Sequence, residues 1–341
     1  MQQNHNKILV TGGAGYIGSH TLVCLIEQGY DVVVLDNFSN SHKESLLRVE
    51  KITGARIRTV VADVRDKTAL AALFTEHEFY GVVHFAGLKA VGESVQQPLK
   101  YYQNNVSGSI NLLRVMAEHN CKRIVFSSSA TVYGDPSSVP INEAFSLSAT
   151  NPYGQSKLMV EDILRDLHQS DSSWEISILR YFNPVSAHES GLIGEDPNDV
   201  PNNLMPYISQ VGVGRLECLS VFGDDYDTPD GTGVRDYIHV VDLARAHLKA
   251  MQALNDGHGC QAYNVGTGQG YSVLDMVKAF ERASGQAIKY KIKPRRAGDI
   301  ASCYASTDKS AEKLGWTAKY GLDRMMQDLW RWQSQNPNGY S

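Results

Sequence analysis

The chain has 341 residues, 42% hydrophobic and 20% charged, enough apolar side chain for a sizeable core and so not a mainly disordered protein. Its 32 Lys and Arg against 37 Asp and Glu give a net charge of −5, which excludes the basic footprint of a nucleic-acid binder. No apolar run approaches the roughly 18–20 residues a membrane helix needs, and the length suggests about two domains.

In chain order, continuous β-branched runs over Lys7–Thr11, Asp31–Asp36, Ile57–Val61, Gly81–Phe85, Lys122–Ser127 and Trp174–Tyr181 alternate with helical patterns. The helices are expected over Tyr16–Gln28, Lys43–Lys51, Lys67–His77, a long stretch Pro98–Glu118, and Pro152–His168. Apolar strands separated by helices mean βαβ units, so the fold expected is α/β, a Rossmann-type doubly wound parallel sheet. From residue 183 the regular alternation gives way to Asn, Pro, Gly and Asp, then returns as a strand over Tyr237–Val241, a helix over Leu243–Leu254, a strand over Ala262–Val265 and a helix over Val273–Ala283. This predicts a nucleotide-binding domain over 1–182 and a smaller mixed α/β substrate domain over 183–341, with parts of 234–270 packing back on the first. Five cysteines (24, 121, 218, 260 and 303) contain no C-x-x-C pair and suit reduced thiols better than a disulfide framework or a zinc site. Polar residues precede the first strand without room for a signal peptide, so a soluble cytoplasmic enzyme without a metal is expected.

The first strand runs into Thr11-Gly12-Gly13-Ala14-Gly15-Tyr16-Ile17-Gly18, where Gly12, Gly15 and Gly18 allow a tight turn and a close approach of backbone to a pyrophosphate at the helix N-terminus. Asp36 ends the second strand, 18 residues past Gly18, where a carboxylate accepts from both ribose hydroxyls and repels a 2′-phosphate. NAD is therefore favoured over NADP. Asp63 reads equally as a partner for the adenine amino group or as a turn former. Tyr153 and Lys157 stand four apart behind Pro152, on one helical face, where the ammonium and an oxidised nicotinamide would lower the phenol's pKa and make it a base for a sugar hydroxyl. Of Ser127-Ser128-Ser129, Ser129 is placed to bond the reacting oxygen; the other two are expected to satisfy buried backbone. His84 and His239 read as packed strand-end histidines.

The glycine loop, the serine run with Ala130-Thr131-Val132-Tyr133-Gly134, and Tyr153…Lys157 resemble the extended short-chain dehydrogenase/reductase family. Within it, the segments 84–94, 180–184, 201–206 and 231–240 are similar to the UDP-glucose 4-epimerases, and the resemblance extends from residue 7 to near residue 341. It implies NAD contacts from Tyr16, Ile17, Asp36, Asn37, Asp63, Val64, Phe85, Ala86, Lys89, Asn104, Ser129, Tyr153, Lys157 and Phe182. It implies UDP-sugar contacts from Lys89, Ser129, Tyr153, Asn183, Asn203, Leu204, Phe222, Arg235, Tyr237, Arg296 and Asp299. Arg235 and Arg296 suit a diphosphate and Phe222 a uracil face. Four residues past Asp299, Cys303 is expected to wall the sugar pocket where some relatives carry a bulky Tyr, leaving room for an N-acetyl group; the alternative makes it a plain buried residue with Tyr304 in the pocket. A nucleotide-sugar 4,6-dehydratase is disfavoured, because relatives of that activity carry adjacent Asp and Glu where Ala130 and Thr131 stand. A net reductase is disfavoured by Asp36, and a non-catalytic sensor by the presence of Tyr153 and Lys157. Apolar residues beyond a single face, such as Ile110, Leu112, Leu113, Leu158 and Met159, suit an intersubunit helix bundle, and the family resemblance implies a homodimer; the alternative is that both faces are covered within one subunit.

Overall fold

The structure, a computed structural model, describes residues 6–197, 201, 203–296 and 299–340. Asn202 of the 201–206 segment lies outside the described residues, as do Ala297 and Gly298 between Arg296 and Asp299. The strands are β1 (Lys7–Thr11), β2 (Asp31–Asp36), β3 (Arg58–Val61), β4 (Gly81–His84), β5 (Arg123–Ser129), β6 (Glu175–Tyr181), β7 (Asn183–Val185), β8 (Leu219–Phe222), β9 (Val234–His239), β10 (Cys260–Val265), β11 (Gly270–Ser272), β12 (Tyr290–Lys293) and β13 (Ser302–Cys303). Seven of them form one parallel sheet in the order β10-β6-β5-β4-β1-β2-β3. The order reverses between β1 and β4, and such a switch point opens a crevice at the carboxyl ends of the strands.

Alternation along the strands feeds two cores. Ile8, Val10, Val32 and Val34 pack with Leu22, Leu25, Leu243 and Met251 of helices Tyr16–Glu27 and Val240–Ala253. Leu9, Val33 and Leu35 point the other way, into Leu70, Leu112 and Leu164 of helices Lys67–Glu76, Gly108–Glu118 and Pro152–Ser170. Each such fully buried side chain contributes about 1.5–3 kcal/mol, which is why these strands read as unbroken apolar runs. Strand β10 and helix Val240–Ala253 both belong to these layers. The chain thus returns to the large sheet after the first part of the smaller unit, in which β7, β9, β11 and β13 form a four-stranded sheet and β8 pairs with β12.

Two expectations are refined. Pro98–Glu118 is helical throughout, but its middle, Tyr102–Ser107, is a π-helical turn between Pro98–Tyr101 and Gly108–Glu118. The strand expected over Lys122–Ser127 runs on to Ser129, so the serine side chains alternate between faces.

Burial holds His20 and His84 neutral down to about pH 3 and His247 to about pH 4, below the ordinary value near 6.5. The unfolded chain takes up these protons first, so the stability gained by burying them neutral is complete above about pH 6.5 and is lost as the pH falls toward 3–4. Urea titrations between pH 7 and 5 should show stability falling with proton uptake on unfolding. His84→Gln should reduce that uptake by about one proton. A pH-independent stability over this range would contradict the account.

Candidate active site

Gly12 sits at φ +69°, and a Cβ there would lie 2.8 Å from the Ala86 nitrogen; one on Gly18 would lie 2.4 Å from the Gly12 oxygen. The loop, the first helical turn and the end of β4 therefore close on one another only because these residues are glycines. No side chain caps the helix at Gly15, which leaves its N-terminus to the cleft. The cleft is lined by Gly12, Gly15, Tyr16, Ile17, Gly18, Asp36, Asn37, Asp63, Val64, Phe85, Ala86, Lys89, Asn104, Tyr153 and Lys157. Of the residues expected to touch the cofactor, Ser129 and Phe182 are not on this wall.

The Asp36 carboxylate is aimed by three donors: Ala14 N (3.0 Å), Phe38 N (2.8 Å) and Ser41 Oγ (2.9 Å). Asp63 accepts from Asn37 Nδ2 (2.8 Å) and twice from the Arg65 guanidinium, which with Asn37 holds it well below the usual carboxylate range. Asp63 is thus held in the ionised, acceptor-only state, and Asp36 is fixed in orientation, both at the edge of the cleft.

Helix Pro152–Ser170 starts at Asn151, whose side chain accepts from Gly154 N (2.9 Å), and it brings Tyr153 and Lys157 to the cleft end near β5. Lys157 Nζ donates to the Ser127 carbonyl (2.8 Å) and lies 5.0 Å from the centre of the Phe126 ring. Burial lowers Lys157 to about 8, with Glu161 on the next turn opposing the shift. The Tyr153 phenol is held above its ordinary value by burial, against a hydrogen bond with Ser129. The lowering is expected from the ammonium and an oxidised nicotinamide together; with the chain's own groups alone, burial outweighs it. Ser129 also accepts from the Thr131 amide and hydroxyl. Its two neighbours bond side chains rather than backbone, Ser127 to His247 and Ser128 to Glu161, itself paired with Arg180. His84 is buried between Thr11 and Ser109, and His239 beside Ser186 and Asp328; neither lines the cleft.

Strand β6 passes through Phe182 into β7, and β9 runs between β11 and β13 and also pairs with β7. Asn183 is in register with Tyr237, and Cys303 with Arg235, so these four residues occupy one face of the small sheet. Arg235 and Arg296 both lie near enough to Tyr237 to work against the burial that pushes its phenol up to about 12. The Arg296 guanidinium stands 4.8 Å from the centre of the Phe222 ring and pairs with Asp299 (3.0 Å). Cys303 packs with Val132, Phe182 and Leu158, whereas the Tyr304 ring lies over Gly270, whose Cβ would be 3.2 Å away. Tyr304 is therefore turned away from this wall. Leu204 opens helix Leu204–Gly212 behind Asn203.

The family model described as GDP-mannose 4,6 dehydratase matches residues 9–329. The UDP-glucose 4-epimerase of Bacillus subtilis (strain 168) is 61% identical over 98% of both chains. The chain belongs to the UDP-glucose 4-epimerase family. A solved UDP-glucose 4-epimerase from Bifidobacterium longum, in complex with NAD⁺ and UDP, superposes with a TM-score of 0.95 at 55% identity, over 98% of this chain and 99% of that one. A UDP-Glc/GlcNAc 4-epimerase from Campylobacter jejuni gives 0.84 at 36% identity, over 97% and 99%.

Sequence reasoning missed several residues of this 4-epimerase family member's site. Asn105, next to Asn104 on the π-helical turn, bonds both backbone groups of Leu88 and the Ser156 hydroxyl, so it ties the Lys89 loop to the helix of Tyr153. Such turns recur at functional sites, and Tyr102–Ser107 carries neither Pro nor Gly to mark one. Glu195 accepts from Lys89 (3.2 Å) and from Asn203 (2.8 Å), joining a residue of the large-sheet unit to one of the smaller. Tyr181, Asp196 and Tyr340 also line the cleft. Only contacts between residues far apart in the chain reveal them.

Proposed function

We propose that this chain interconverts UDP-galactose and UDP-glucose with a resident NAD, and also takes the N-acetylated pair, UDP-GalNAc and UDP-GlcNAc. One observation carries the reading: Tyr153, bonded from behind by Ser129, and Lys157 converge at the end of a glycine-cradled cleft, and the chain continues from there into a sheet face bearing Asn183, Arg235, Tyr237 and Cys303. The cleft residues fit NAD in particular. The glycines leave backbone where a pyrophosphate needs it, and the fixed Asp36 carboxylate accepts ribose hydroxyls while excluding a 2′-phosphate. Residues 1–182 with the returning 240–265 form the NAD-binding unit, and the rest of 183–341 the UDP-sugar unit.

Bound NAD supplies a reversible acceptor at C4 of the sugar, so that oxidation to a 4-keto sugar, rotation and re-reduction invert C4 with no net redox change. The chain does the rest. Tyr153 takes the proton of the 4-hydroxyl and returns it to the same oxygen, the positive charge of the oxidised cofactor supplying the shift that Lys157 alone does not. Ser129 fixes the phenol and the sugar 4-oxygen. Lys157, anchored on the Ser127 carbonyl, holds the nicotinamide ribose. Arg235 and Arg296 hold the diphosphate and Phe222 the uracil, leaving the sugar free to turn about its link to phosphate. The purified chain should convert UDP-galactose to UDP-glucose with no added NAD; a folded preparation that needs exchangeable NADPH would overturn the reading.

Asp36→Ala should weaken NAD and relieve the penalty on NADP, read as a fall in the dissociation constant of NADP relative to that of NAD. An unmodified chain binding both equally would contradict the role of Asp36.

A homodimer is part of the proposal. Leu112 and Leu113 are buried within the subunit, so the apolar surplus that matters is elsewhere. Val91, Val95 and Leu99 are exposed on the short helices beside Pro152–Ser170, which itself exposes Met159. Covering such a patch with its own copy is a symmetric solution. Sedimentation should give twice 37.6 kDa at micromolar concentration, and a mass of 37.6 kDa would dispose of the dimer. A cytoplasmic setting suits the five free cysteines, and among the described residues no helix is long and apolar enough to cross a membrane.

A further inference from the structure

A reaction with no net redox change works repeatedly only if the dinucleotide stays put, and two segments remote from the glycine loop line the cleft beside it: Gly194–Pro197 and Tyr340. They are locked together. The Tyr340 amide donates to Asp196 Oδ2 (2.7 Å), and its hydroxyl lies 3.2 Å from both the nitrogen and the oxygen of Gly194. Gly339, at φ +82°, brings the backbone so close that a Cβ would fall 2.1 Å from the Asp196 carboxylate. The Tyr340 ring packs on Trp332 (4.9 Å between centres) and under the Arg48 guanidinium (5.1 Å).

The pair also reaches across to the opposite wall. His42, at the end of the loop that supplies the Phe38 and Ser41 donors to Asp36, places Nε2 3.5 Å from Asp196 Oδ2 and its ring 5.5 Å from that of Tyr340. That Nε2 is buried with no hydrogen-bond partner, and the Asp196 carboxylate stands opposite it. The wall built by Asp196 and Tyr340 thus joins the Asp36 side of the cleft, where the adenosine ribose belongs.

We propose that Asp196 and Tyr340 form a clasp over the adenosine side of the cleft that retains the dinucleotide between turnovers. This rests on the reading of the cleft as an NAD site. The clasp opens by breaking the Tyr340–Gly194 and Asp196–His42 contacts, and each sets part of the barrier to release.

The test is the exchange of bound, isotopically labelled NAD into excess unlabelled NAD, followed on gel-filtered protein. Tyr340→Phe removes the hydroxyl contacts with Gly194 but keeps the ring on Trp332 and Arg48. It should speed exchange roughly two- to tenfold for each hydrogen bond lost. Repeated turnover should then decline in a way that added NAD reverses. Should Tyr340→Phe fail to fold, Asp196→Asn, which removes the charge facing His42 without changing volume, carries the same expectation. Folded variants exchanging at the unmodified rate would overturn the clasp while leaving the cofactor reading intact. An unmodified chain that retains no NAD would overturn the cofactor reading, and the clasp with it.

Discussion

Tyr153→Phe should fold, keep its NAD and turn over UDP-galactose at least roughly 10²–10⁴-fold more slowly, the loss expected when a positioned acid–base group is removed. The ring sits at the start of helix Pro152–Ser170, which is fixed by the Asn151 cap and by Ser156, neither of which needs the phenolic oxygen. Removing that oxygen leaves nearly the same volume and frees Ser129, which keeps its bonds with Thr131. The phenol is held high by burial in the absence of further charge, so ionisation must be linked to the oxidised cofactor. The pH–rate profile of the unmodified chain should accordingly rise with pH on a limb that Tyr153→Phe abolishes. Near-normal turnover in a folded variant with its NAD in place would remove Tyr153 from the chemistry.

The second large effect concerns substrate range. Cys303→Tyr should abolish turnover of UDP-GlcNAc while retaining that of UDP-galactose. Cys303 shares a sheet face with Arg235, Tyr237 and Asn183 and packs on Phe182 and Val132, and the neighbouring Tyr304 is committed to Gly270 on the other side. Burial pushes the thiol up to about 11, so Cys303 is a neutral wall rather than a nucleophile. Filling the space of an N-acetyl group with a phenol costs about 1–3 kcal/mol by overpacking, or roughly a tenfold to hundredfold preference, and more where the acetyl has no alternative position. A parallel assay of the two UDP-sugars reads it directly. An unmodified chain active on UDP-galactose with no detectable turnover of the acetylated sugar would end this account of Cys303.

The large sheet was legible because its strands are buried on both faces, so Ile8-Leu9-Val10 and Val32–Leu35 announce themselves as unbroken apolar runs. Glycine spacing, Asp36 and Tyr153…Lys157 are local along the chain, and the structure brings them to one cleft. The small sheet was legible only in part. Its strands β7, β11 and β13 are two or three residues long, too short for a periodic signal, and their pairing with β9 is a matter of register between distant segments. Helix Leu322–Gln335 did carry a signal that went unread: Leu322, Met325, Met326, Leu329 and Trp332 recur at helical spacing. The π-helical turn carrying Asn104, the Glu195 bridge and the Tyr340 wall could not be read, since each depends on who meets whom in three dimensions.

The central claim is that C4 of the sugar is oxidised and reduced again within one closed site. UDP-galactose carrying deuterium at C4, incubated in ordinary water with the purified chain and no added NAD, tests it most directly. The account predicts UDP-glucose with deuterium retained at C4, and none lost to solvent. Product in which that deuterium has been replaced by solvent hydrogen would contradict it, because inversion would then proceed by proton exchange rather than by oxidation and return.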